Sequence, residues 1–241
     1  MKVRFILLVL CLVAATVPAV PGPGSGTHPY GGPGPSVCHR VEQLEPAYPA
    51  GSGDRLLFAL AQHYGDTRVV VTSCVRTRYG FIEDWQAPGY IGETGFAVPG
   101  SVRVNTLKTP TGSFTMTEAF GRRDPGTALM YRAITPESRW GGSRGRDFNN
   151  YFEGRGSRKD EPLWRYMQDG DYEQAAVINF NRPPDAEPDP RQTFAIFLHA
   201  GLQETWGCIS TDLPTVTRVL REASPGDRII MGVESEIFPP G

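Results

Sequence analysis

The chain has 241 residues and a mass of 26.4 kDa, enough for one domain of ordinary size. Its net charge of −2 and pI near 6.1 leave no overall positive field to hold nucleic acid, and that class of partner is set aside. The 28 glycines and 22 prolines argue for many turns and against long helices.

The N-terminus carries Lys2 and Arg4, an apolar run from Phe5 to Val17, and small residues at Val17-Pro18-Ala19. This pattern predicts a cleaved secretory leader over residues 1–19 and an exported protein. The run is short of the ~20 apolar residues a bilayer requires, so no transmembrane anchor is expected. Leu10 before Cys11 is too large for a lipid-attachment site. Residues 20–36, mostly Gly, Pro and Ser, read as a flexible spacer. A single domain is placed over 37–241.

Asp54 to His63 reads as a short helix, with Leu56, Leu57 and Leu60 at helical spacing. Strand signals follow at Arg68–Val75, Phe96–Val104, Gly112–Met116, Ala175–Phe180, Phe194–Leu198 and Arg228–Met231. Six strands against at most three helices predict a mainly β domain. Phe194 to Leu198 is apolar at every position, as in a strand buried on both faces, and His199 stands at its end.

Between the strands, Arg122 to Asp171 is long, aperiodic and rich in aromatics, which predicts a folded excursion over part of a cleft. Within it Arg139, Arg144, Arg146, Arg155, Arg158, Lys159 and Arg165 form either a solvated loop or an electropositive lip for carboxylate-bearing substrates. Asn181 to Gln192 reads as a surface loop. Past Cys208, Ser210 or Thr211 caps a helix with Leu213, Val216, Val219 and Leu220 on one face and Pro214 in its first turn. Ser224-Pro225-Gly226-Asp227 ends it.

Without the leader, and with it Cys11, three cysteines remain. In an oxidising compartment two of them pair; Cys38 and Cys74 are placed to join the start of the domain to its first long strand, which leaves Cys208 free. His28, His39, His63 and His199 are scattered and make no zinc-type ligand pair, so neither metal nor cofactor is expected.

His199 and Cys208 lie nine positions apart, with Gly201 and Gly207 between them, so a reverse turn brings both side chains together. A cysteine nucleophile needs its thiolate, which an imidazole or a helix N-terminus stabilises. Gly207 allows close backbone approach, the N–H groups of Gly207 and Cys208 are candidate oxyanion donors, and a carbonyl near Ala200 is a candidate orienter for the imidazole. The bland alternative is a core cysteine beside a strand-end histidine.

His199 followed by Thr205-Trp206-Gly207-Cys208-Ile209 resembles the signature of L,D-transpeptidase (YkuD-like) catalytic domains. Thr109-Pro110-Thr111-Gly112-Ser113-Phe114 is similar to that family's TPTG-F element, and Pro225-Gly226-Asp227-Arg228-Ile229-Ile230 to its closing strand. Trp206 and Ser210 replace a usual His and Arg, and the His-to-Cys loop is short, as in a branch from high-GC Gram-positive bacteria. The lost Arg removes a bidentate carboxylate clamp.

The resemblance spans roughly 68–232 and implies a single catalytic domain over 37–241, built as a β-sandwich or mixed sheet with one or two short helices and a long insertion over the cleft. It implies a secreted monomer that acts on peptidoglycan stem peptides, with Cys208 as nucleophile and His199 as base. Thr205, Trp206, Gly207 and Gly201 would serve the substrate or the oxyanion, and no cofactor is implied. A carboxypeptidase using the same site and a wall-binding domain without turnover are the rivals.

Overall fold

In a computed structural model, residues 36–44 and 47–239 are described. The leader, Cys11, His28 and all of the spacer except Ser36 lie outside them. Among the described residues no helix is long and apolar enough to cross a membrane.

The domain is mainly β. Its strands are β1 (Arg55–Ala61), β2 (Arg68–Thr77), β3 (Gly80–Tyr90), β4 (Gly112–Gly121), β5 (Met130–Ala133), β6 (Ser138–Trp140), β7 (Tyr151–Glu153), β8 (Glu161–Pro162), β9 (Gln174–Ile178), β10 (Phe197–Ala200), β11 (Ile209–Thr211) and β12 (Arg228–Val233). The helices are α1 (Leu163–Asp169), α2 (Leu213–Glu222), α3 (Glu234–Ile237) and a leading 3₁₀ turn, Val37–Gln43.

The main sheet is mixed and runs β12-β1-β2-β3-β11-β10-β9-β4-β5. Because the first half of β4 also pairs with β12, through Met231↔Gly112 to Arg228↔Thr115, the sheet closes on itself into a barrel-like ring, with β5 hung on the second half of β4. One apolar cluster fills its inner side, from Leu57 and Ala59 through Val71, Met116, Ile178, Leu198 and Ile209 to Ile229 and Met231. The amphipathic α2, capped by Asp212 accepting from the Thr215 N–H, adds Val216, Val219 and Leu220 to it.

Two further clusters cover the outer face. Leu56, Phe58 and Leu60 of β1 point away from the inner core and pack with Cys38, Phe81, Ile230, Ile237 and Phe238. On another side Phe120, Trp140, Leu163, Met167, Tyr172, Ala175, Val177, Phe197 and Cys208 pack together beneath the excursion. Within the excursion, β7-β6-β8 form a small sheet, and Asp160 organises it by accepting from the N–H groups of Gly142, Ser143 and Ser157.

Several sequence expectations are corrected here. The predicted Asp54–His63 helix is strand β1: with both faces buried, every position from Leu56 to Ala61 is apolar and the two-residue period disappears. The predicted Phe96–Val104 strand is irregular. Phe96, Ala97 and Val102 reach the core, but Pro99-Gly100 interrupts the run and only a bridge between Phe96 and Thr109 remains. Strand β3 escaped prediction, since Pro88 and Gly89 near its end and its polar outer side read against a strand.

The predicted Phe194–Leu198 strand becomes regular only at Phe197, because Ala195 adopts φ +56°, and His199 lies inside β10 rather than after it. The helix after Cys208 is capped by Asp212, not Ser210 or Thr211, which belong to β11. Asn181–Gln192 is only partly surface, since Asn181 and Arg182 are buried.

Candidate functional site

β10 and β11 run parallel, with Leu198 opposite Ile209 and His199 opposite Ser210. Cys208, one position before Ile209, therefore falls beside Phe197. Since alternate strand residues share a face, His199 and Cys208 project on the same outer side, two register positions apart. The excursion lies over them. Both are buried, at 5% and 8% exposure, and Cys208 is the free thiol among the described cysteines while Cys38 and Cys74 are joined.

The loop between them is pinned at its far end. Thr205 pairs with the Ile91–Glu93 backbone on both sides, and its hydroxyl accepts from the Gly207 N–H at 3.0 Å and donates to the Cys208 carbonyl at 2.7 Å. Thr109, from the Thr109-Pro110-Thr111-Gly112 segment, donates to the same carbonyl at 3.4 Å, so two of the motifs picked out in the sequence meet at Cys208. Gly207 takes φ +143°, where any side chain is strained, and a Cβ there would crowd the Lys108 carbonyl and Ile196.

The Gly207 N–H, an oxyanion candidate, is thus engaged by Thr205. Gly201, at φ +127°, lies between Asp171 and the His199 ring. Trp206 is 71% exposed and Leu202 57%, which sets two apolar side chains on the outer lip of the loop. The Ser210 hydroxyl donates to the Gln203 carbonyl at 2.6 Å and so braces the loop from within.

His199 Nδ1 lies 2.6 Å from the Ala200 carbonyl oxygen. A carbonyl only accepts, so Nδ1 carries the proton and Nε2 is left as the basic nitrogen. Burial lowers the His199 pKa, and the Ala200 carbonyl together with the charge and backbone of Asp171 works the other way. The ring is thereby kept neutral, as a base requires.

Cys208 is held differently from an activated cysteine. Its thiol donates to the Ala195 carbonyl at 3.2 Å, and its sulfur accepts from the Phe197 N–H at 3.4 Å. Among the described residues no hydrogen bond joins Cys208 to His199. Burial and then the Glu161 charge push the thiol well above its usual range, against smaller opposing effects from the Phe197 N–H and the Tyr172 hydroxyl. The sequence-predicted help from a helix N-terminus is absent, because β11 separates Cys208 from α2. The geometry and burial thus favour the neutral thiol form of Cys208.

The structure adds groups that the sequence did not single out. The Tyr172 hydroxyl donates to Glu161 at 2.9 Å, and its ring meets that of His199 edge to face at 5.1 Å. Burial raises the Glu161 carboxyl to about 7, partly offset by that hydrogen bond. Asp171 accepts from Gln203 at 3.3 Å beside the histidine. All three belong to the excursion or its exit, where no period or spacing marks individual residues.

Of the basic residues there, Arg144, Arg146, Arg155, Arg158, Lys159 and Arg165 are exposed, while Arg139 donates to the carbonyls of Pro136 and Ser138. Among the described residues no group of three or more His, Cys, Asp and Glu is gathered to hold a metal ion. Compared with models of known protein families and with curated proteins, the chain matches none.

Proposed function

We propose that this protein is an exported cysteine acyltransferase of the L,D-transpeptidase type, acting on peptidoglycan stem peptides. One observation carries the reading: a free thiol and an imidazole with its Nδ1 proton fixed on a carbonyl stand on one face of two adjacent strands, within the segment whose sequence resembles that family.

The chemistry follows from these groups. Sγ turns off the Ala195 carbonyl, gives its proton to His199 Nε2, and bonds to the carbonyl carbon after the third residue of a tetrapeptide stem. The tetrahedral intermediate collapses as the C–N bond breaks, the proton passes from His199 to the leaving amine, and the terminal D-amino acid departs. An amine of a neighbouring stem then attacks the thioester, loses its proton through His199 and frees the thiol. Incubation with purified tetrapeptide muropeptides tests this. Crosslinked dimer with released D-amino acid is expected. Shortened monomer alone makes the protein an L,D-carboxypeptidase, and unchanged muropeptide contradicts both.

A second reading, a wall-binding domain without turnover, is favoured by the buried neutral thiol and its lack of a hydrogen bond to His199. Slow, plateau-less alkylation of Cys208 at every pH would select it.

A further inference from the structure

Asn149 is 1% exposed and uses its whole side-chain hydrogen-bonding capacity. Its Oδ1 accepts from Trp140 Nε1 at 2.9 Å and from the Ala195 N–H at 3.0 Å. Its Nδ2 donates to the carbonyls of Phe180 and Asn181 at 3.0 and 2.9 Å. Two donors face one end of the amide and two acceptors the other, so only one orientation of the group satisfies all four. Asn149 sits at φ +56°, a conformation that asparagine tolerates better than most residues.

Ala195 also sits at φ +56°, where alanine is unusual. Its N–H is held by Asn149 and its carbonyl receives the Cys208 thiol. The same peptide segment therefore links the excursion to the nucleophile. Were the sulfur to ionise in this position, it would face the negative end of the Ala195 carbonyl at 3.2 Å.

We propose that Asn149 is a positioning residue for Cys208: by fixing Ala195 in the left-handed conformation, it keeps the thiol hydrogen-bonded to a backbone carbonyl until the sulfur turns toward His199. This rests on the reading of Cys208 as the nucleophile. The other groups that face the thiol are Glu161 on β8, Asp171 and Tyr172 after α1, and His199 on β10, and the Asn149 side chain hydrogen-bonds none of them.

The test is the pH profile of Cys208 alkylation by iodoacetamide, read on the Cys208 peptide by mass spectrometry in the full chain. Asn149→Gly keeps the backbone conformation and loses the amide. It should lower the midpoint by about one unit and speed alkylation at pH 7.5 about tenfold, as the thiolate fraction rises. Asn149→Asp keeps both acceptor bonds and should leave the midpoint at or above the wild-type value. Added access alone would scale the plateau without moving the midpoint.

An unmoved midpoint in Asn149→Gly, or equal lowering in both variants, overturns the proposal. If Asn149→Gly does not fold, the Raman difference between wild type and Cys208→Ala decides. An S–H band displaced to low frequency supports a thiol bonded to Ala195, and an undisplaced or missing band overturns it. A wild-type thiol that resists alkylation at every pH sinks the nucleophile reading itself, a result distinct from these.

Discussion

Two patches on the outside of the barrel are covered by chain, and each buries cysteine, yet they differ in what lies beneath the cover. Over β1, β2 and β12 the 3₁₀ turn is bonded through Cys38–Cys74, and the cluster around it is apolar, with Phe58, Phe81 and Phe238. Over β9 to β11 the excursion covers a thiol left free, an imidazole, the Tyr172 phenol and the Glu161 carboxyl. Burying titratable groups costs stability unless they are partnered. A fold needing only closure would use the first solution twice, and the second patch is therefore where function is sought.

The contrast should break most severely at Cys208. Cys208→Ala should abolish turnover while leaving the melting temperature within a few degrees, since one buried sulfur is lost beside Phe197 and Ala195; muropeptide product analysis and calorimetry check both halves. His199→Gln should lower kcat/KM by ~10²–10⁴-fold. Because burial lowers the His199 pKa, the neutral base persists below the ordinary imidazole value of about 6.5. The acid limb of the wild-type kcat/KM profile should accordingly lie under that value, and an acid limb above it would count against His199 as the base.

The first patch should respond in stability instead. Replacing Cys38 and Cys74 by serine opens a link between residues 36 positions apart, for which chain entropy gives roughly 3–4 kcal/mol. Denaturant unfolding should show that loss with kcat unchanged once the protein is folded; a parallel loss of kcat would join the two patches into one unit.

The smallest effect is expected at Glu161. Its folded pKa of about 7 lies above the model carboxyl value of 4.5, so the native state binds the proton more tightly than the unfolded chain does. Stability therefore falls as pH rises from about 4.5 to 7 and levels off beyond. Glu161→Gln removes this penalty and should raise stability at pH 8 by on the order of 1–2 kcal/mol, discounted because the side chain is part-exposed, with little change near pH 4.5. Equal effects at both pH values would refute the buried-carboxyl account.

How much of this was legible in the sequence depends on what kind of signal each residue carries. Cys38, Cys74 and Cys208 could be sorted by count, and the structure joins the first two. His199 and Cys208 were legible because nearness in sequence became nearness on parallel strands. The Ala200 carbonyl as orienter followed from chemistry alone, and it is found on Nδ1.

Closure of the sheet was not legible, since it rests on β12 pairing with both β1 and β4, a long-range choice that no local pattern encodes. Nor were β1, whose two buried faces erase periodicity, or Ala195, whose φ of +56° has no sequence mark. Glu161, Tyr172 and Asn149 acquire meaning only from what folds over the thiol. The excursion was recognisable as a cover, but not which of its side chains reach inward.

The central claim is that Cys208 forms an acyl-enzyme. Intact-mass spectrometry of protein quenched during incubation with tetrapeptide muropeptide tests it most directly. The account predicts an added mass equal to the muropeptide less the free D-amino acid it releases, carried on the Cys208 peptide and missing in Cys208→Ala. Release of that D-amino acid by Cys208→Ala at the wild-type rate, or turnover by wild type with the adduct on any other residue, would contradict it.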